Sequence, residues 1–122
     1  MARHREDVAA VVTPMVRARP GIEERLAFGV PAFFVGGKMF ACVNAKGLGL
    51  KLPHARIAEL DDPAVSQFGR PGQPMRGWIQ IARDDAEAHR NDGGLLDESI
   101  AYVAAQAAET PPAPKRTRRR AG

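Results

Sequence analysis

The sequence predicts an α+β domain: a two-layer sandwich with one antiparallel sheet and helices on one of its faces. A helical spacing of apolar residues appears near both ends of the chain, over 6–19 and 95–108. Between them lie short runs with β character, separated by glycine-containing turns. With 122 residues, 44% of them apolar, the chain has room for one such domain. The predicted order is α-β-β-β-β-α-β-α.

The first helix is predicted from Glu6 to about Arg19, because Val8 and Val12 fall on one face of it. Pro14 leaves two interpretations open, since proline removes one helical hydrogen bond. We favour a long helix kinked at Pro14. The alternative is a shorter helix that begins with Thr13 as its N-cap.

An antiparallel meander is predicted next, after a short first strand over 24–28. Gly36-Gly37 separates the runs 32–35 and 38–44, and glycine pairs accept the positive φ of a hairpin turn. Leucines then alternate with other residues over 48–52, as in a strand with one face in the core. The first half is therefore a helix that leads into sequential strands.

The second half is predicted to hold a short helix over 53–60, a strand over 77–82 and a last helix over 95–108. The segment 68–75 is rich in glycine and proline and is expected to be a surface loop with no element of its own. We expect an interaction loop here that contacts a partner through Arg70 and through Arg76 and Trp78, which follow it directly. For Trp78 the other interpretation is packing in the core.

Positive charge is concentrated at the end of the chain. Five basic residues lie within the last eight positions: Lys115, Arg116, Arg118, Arg119 and Arg120. The preceding 114 residues carry 13 Lys and Arg against 14 Asp and Glu, a net charge of −1. We therefore expect a domain over 1–108 and a disordered, proline-rich spacer with a basic tail over 109–122. Such a tail attracts DNA or RNA phosphates without reading sequence.

No arrangement of residues points to catalysis, a metal or a cofactor. Cys42 is the only cysteine and lies in an apolar run, which is typical of a buried, unreactive thiol in a reducing compartment. His4, His54 and His89 lack a second ligand at metal-binding spacing, and we expect them to be solvated. No signal peptide and no membrane span is evident, so the expected location is the cytoplasm.

A family resemblance extends from Phe28 to Val103. It is carried by several short motifs, namely 28–33 (FGVPAF), 35–41 (VGGKMFA), 50–53 (LKLP), 68–72 (FGRPG), 75–81 (MRGWIQI) and 101–103 (AYV). In their order and spacing these motifs resemble the TfoX N-terminal domain of the TfoX/Sxy family, close in pattern to MmcQ/YjbR-like proteins. The resemblance implies an α+β fold and a role around DNA, including regulation of competence genes, with no catalytic residues.

The function expected from the sequence is a non-enzymatic, nucleic-acid-associated or regulatory domain, with DNA or RNA bound through the basic tail. The alternative is a protein-interaction module that dimerises or binds a protein partner through the open sheet face. In that case the tail serves solubility or non-specific polyanion binding. No membrane contact and no small-molecule substrate is indicated.

Overall fold

The computed structural model describes residues 4–70 and 72–109, without the side chains of Arg70 and Pro74. The predicted spacer and basic tail lie outside the described residues from position 110 onward. The helices and strands follow in this order: α1 (Glu6–Arg17), β1 (Ile22–Ala27), β2 (Val30–Val35), β3 (Lys38–Asn44), β4 (Gly47–Lys51), α2 (His54–Glu59), β5 (Val65–Arg70), β6 (Gln73–Ile81), a 3₁₀ helix (Ala86–Asp92) and α3 (Gly93–Glu109).

All six strands form one antiparallel sheet in the order β1-β2-β3-β4-β6-β5. The strand register aligns apolar side chains in rows, such as Val43 opposite Leu48 and Leu48 opposite Ile81. These rows face α1 and α3, whose Val12 and Leu96 are fully buried in the same cluster. The predicted fold class, an antiparallel sheet with helices in an α+β arrangement, is confirmed.

Helix α1 continues through Pro14, as the favoured interpretation predicted. Proline has no N–H to donate, but its carbonyl still accepts from the backbone N–H of Ala18 at 3.1 Å. Val8 and Val16 on the inner face of α1 are fully buried. The packing of this apolar face supports the helix despite the lost hydrogen bond.

The expected surface loop at 68–75 is wrong, because this segment is a β-hairpin made by β5 and β6. Arg76 and Trp78 accordingly lie on strand β6. Two glycines of this segment have positive φ, 116° at Gly69 and 81° at Gly72. They permit the tight turn and the shift in register between Gln67 and Gly69.

A row of small side chains crosses the helix-free face of the sheet. Ala32, Cys42 and Gly49 lie in one row across β2, β3 and β4. The ring of Phe68 covers this row at Gly49, and Trp78 packs against Phe68 with ring centroids 5.5 Å apart. A small second apolar cluster therefore lies on the side of the sheet that the helices leave open.

Candidate nucleic-acid interface on the sheet

Charge is unevenly distributed between the sheet and the helices. The segments 38–51 and 65–81, which form β3 to β6, contain no Asp or Glu. They contain five basic residues: Lys38, Lys46, Lys51, Arg70 and Arg76. All 14 acidic residues of the chain lie outside these two segments. Four of the six strands thus form a positively charged region in a core of net charge −1.

Most of the arginines elsewhere are neutralised by carboxylates. Those with ion pairs are Arg5, Arg17, Arg19, Arg25, Arg56, Arg83 and Arg90. By contrast, Lys38, Lys46, Lys51 and Arg76 form no ion pair with any residue in the described part of the chain. Their charges are therefore available to an anionic partner.

The strand directions place three of these cations at one end of the sheet. Lys38 begins β3 and Lys51 ends β4, and these two ends coincide in an antiparallel pair. Lys51 lies opposite Trp78 on the helix-free face, and Arg76 is two residues before Trp78 on β6. Lys46 lies in the turn at the other end, where Asn44 Oδ1 accepts from the backbone N–H groups of Lys46 and Gly47, each at 3.0 Å.

A groove of about 610 Å³ lies between the β3–β4 turn and the β5–β6 hairpin. Its lining includes the amides of Asn44, Gln73 and Gln80, the ring of Phe68 and the ammonium-bearing Lys46. Gln80 is held in place, since its Oε1 accepts from Asn44 Nδ2 at 2.7 Å and its Nε2 donates to the Leu48 carbonyl at 3.3 Å. A cation, an aromatic ring and fixed amides are groups that contact phosphates and bases.

The three residues expected in an interaction loop differ in position and exposure. Arg76 is exposed and Trp78 is only 7% exposed, and both line a second groove beneath α2. Arg70 ends β5, and its side chain is outside the described part of the structure. The tail residues Lys115, Arg116, Arg118, Arg119 and Arg120 also lie outside the described residues.

The prediction that His89 is solvated is wrong. It is fully buried in the 3₁₀ helix, which packs against α1, and its Nδ1 lies 2.8 Å from Asp92 Oδ2. Arg83 donates to Asp92 at 2.7 Å and to Asp62 at 2.8 Å. The Nε2 atom of His89 has no hydrogen-bond partner among the described residues.

The charged groups of this network stabilise one another. Burial raises the pKa of Asp92, but hydrogen bonds from His89 and Arg83 outweigh it and hold the pKa below its ordinary value. The Asp92 hydrogen bond likewise raises the pKa of Arg83. The network joins the end of β6 to the 3₁₀ helix, with Asp92 1% exposed. It therefore stabilises the connection to α3.

Cys42 is buried at 5% exposure, as the sequence predicted. Burial raises the pKa of its thiol to about 11, so little reactive thiolate exists at neutral pH. Across residues 4–70 and 72–109, no three His, Cys, Asp or Glu side chains come together as a metal site requires. No helix in the same part of the chain is long and apolar enough to cross a membrane.

These features define a small α+β domain with a positively charged, partly helix-free sheet. The family model YjbR matches residues 17–101, which span the whole sheet, and the chain belongs to this family. No curated protein and no solved structure gives a significant match. The predicted resemblance to MmcQ/YjbR-like proteins is thus confirmed, and the assignment to the TfoX/Sxy family is not.

Proposed function

We propose that this YjbR-family chain is a non-enzymatic, nucleic-acid-associated protein. The observation that carries the proposal is the segregation of charge, with five basic residues and no acidic residue in the segments that form β3 to β6. A regulatory role at DNA in the cytoplasm, such as control of competence genes, is a narrower form of the same proposal. The sequence resemblance to TfoX-type domains supports this narrower form.

The ammonium groups of Lys38, Lys46 and Lys51, which form no ion pair with a described residue, supply the phosphate contacts in this proposal. Each contact releases a counterion, so binding depends strongly on salt concentration. The amide groove beside Lys46 would receive a base, with the Phe68 ring as an apolar surface. The basic tail adds further phosphate contacts without sequence preference.

The test is fluorescence anisotropy with labelled single-stranded and duplex DNA, titrated with the full chain from about 50 mM salt upward. The sheet variant combines Lys38→Ala, Lys46→Ala and Lys51→Ala. Its matched control combines Arg17→Ala, Arg56→Ala and Arg90→Ala, which removes the same number of positive charges from ion pairs on the helical side. A tail variant replaces Lys115, Arg116, Arg118, Arg119 and Arg120 by Ala.

We expect the sheet variant to reduce the slope of log K against log salt by up to about 2.7, and the tail variant by up to about 4.5. The control should keep the wild-type slope, because its arginines are already neutralised by carboxylates. If the sheet variant binds like its control, the sheet is not the interface. If wild-type protein binds neither DNA at about 50 mM salt, the proposed function is wrong.

A protein-interaction module is the second candidate, and two exposed side chains favour it. Leu26 is 76% exposed at the end of β1, and Phe28 is 91% exposed in the turn before β2. Neighbouring apolar side chains of this size on a surface are typical of a contact site. In sedimentation experiments, a second copy bound at this turn would give a concentration-dependent dimer that Phe28→Ser abolishes. A monomer at all concentrations would exclude self-association.

A further inference from the structure

A second groove, of about 550 Å³, lies between α2 and the β5–β6 hairpin. Its apolar lining is shared by a helix and the sheet, with Ile57 from α2, Leu60 just after α2, and Val65 and Ile79 from the strands. Ligand sites of small molecules typically have volumes of about 300–1,000 Å³ and mainly apolar walls. The dimensions and walls of this groove therefore suit a small molecule.

The helix that forms one wall is incompletely packed. No residue of α2 is fully buried, although Ile57 points toward the sheet and packs at the edge of the core. On the other wall Met75 remains 41% exposed. A ligand that filled the groove would remove this apolar surface from water, which is favourable.

The polar residues of the groove favour an anion. Arg76 lines it and has no ion pair with a residue in the described part of the chain, and His54 lies at the start of α2. No Asp or Glu is among the lining residues that the structure describes. The guanidinium of arginine binds carboxylates through paired N–H donors.

We propose that this groove binds a small amphipathic carboxylate, with its apolar part against Ile57, Leu60 and Ile79 and its carboxylate on Arg76. Two complementary features indicate this class of ligand: the apolar floor of the groove, and the guanidinium of Arg76, which forms no ion pair with a described residue. This site does not depend on the proposed nucleic-acid function, whose test leaves Arg76 unchanged.

The experiment uses the full chain and decanoate as the probe. Trp78 is the only tryptophan and lines the groove, so its fluorescence reports occupancy directly. Decanol and decyltrimethylammonium are the matched probes, because they keep the alkyl chain and replace the carboxylate with a neutral or a cationic group. The variants are Arg76→Ala, Ile57→Gln and, as a control away from the groove, Arg90→Ala.

We expect decanoate to change Trp78 fluorescence and to bind at least about tenfold more tightly than decanol, as a charge-assisted hydrogen bond implies. Arg76→Ala should remove this preference and leave decanol binding unchanged, whereas Ile57→Gln should weaken both ligands. Arg90→Ala should behave as wild type. Three results would overturn the proposal. The first is no change in Trp78 fluorescence at about 1 mM decanoate, and the second is binding of decanol or decyltrimethylammonium as tight as that of decanoate or tighter. The third is an Arg76→Ala variant that still prefers decanoate to decanol.

Discussion

The ring of Phe68 lies directly over the backbone of Gly49. A Cβ atom placed on Gly49 would be 2.5 Å from Cε2 of Phe68 and 3.0 Å from Sγ of Cys42. The ring cannot move away freely, because it packs against Trp78. This close approach fixes the β5–β6 hairpin over the helix-free face, beside the amide groove.

Gly49→Ala should therefore destabilise the protein by about 1–3 kcal/mol, the usual effect of overpacking. Urea unfolding measures the change in the free energy of unfolding. Gly94→Ala is the matched control, since nothing lies within 4 Å of a Cβ at that position in α3. We expect the control to be neutral or slightly stabilising, because alanine favours the helix. Equal effects of the two substitutions would contradict the proposed steric role of Phe68.

Arg83→Ala should lower the free energy of unfolding by about 3 kcal/mol, because it leaves the buried carboxylate of Asp92 without its cation. The Arg83 side chain is 19% exposed and that of Asp92 2%. Arg90→Ala is the control, since Arg90 and Glu87 are each 62% exposed and solvent screens such a surface pair. Urea unfolding compares the two variants. If Arg83→Ala lowers the free energy of unfolding no more than Arg90→Ala does, the network of Arg83, Asp92 and His89 does not stabilise the fold.

Protonation of the Asp92 carboxylate should also contribute to the unfolding of the protein in acid. Its pKa is lower in the folded chain than the ordinary value of 3.8, so the unfolded chain binds the proton more readily. The stabilisation is fully present above about pH 4 and is lost as the pH falls through the folded-state pKa. Asp92→Asn removes this contribution. The difference in unfolding free energy between wild type and Asp92→Asn should thus narrow as the pH falls from about 4 to 2. A constant difference over that range would contradict the assignment.

The regular part of the fold was predictable because its signals are local. The alternating leucines at 48–52 predicted strand β4. The helical spacing of the valines predicted that α1 continues through Pro14. The β5–β6 hairpin was missed since its glycines and prolines are also typical of loops. The pairing of β6 with β4 and the packing of Phe68 on Gly49 distinguish the two, and both join distant parts of the chain.

The site was less predictable for two physical reasons. His89 has polar neighbours in sequence, and its burial arises from packing against α1, which no local pattern encodes. The net charge of residues 1–114 does not reveal the basic sheet. Its value of −1 includes all the acidic residues outside 38–51 and 65–81. The absence of Asp and Glu from 38–51 and 65–81 was the available signal, and charge counted by element would have found it.

Cys42 should react very slowly with iodoacetamide while the chain is folded. Since burial raises the pKa of its thiol from 9.0 to about 11, the thiolate population at pH 8 falls roughly a hundredfold, and burial also restricts access. The rate measured by mass spectrometry should be at least about a hundredfold below that of the chain unfolded in urea. Below a pH of about 11 the folded-state rate should keep rising with pH, whereas the unfolded rate levels off near 9.0. Because Cys42 is the only cysteine, no other thiol contributes. Similar folded and unfolded rates at pH 8 would show that the β3–β4 region opens readily and that Phe68 does not protect it.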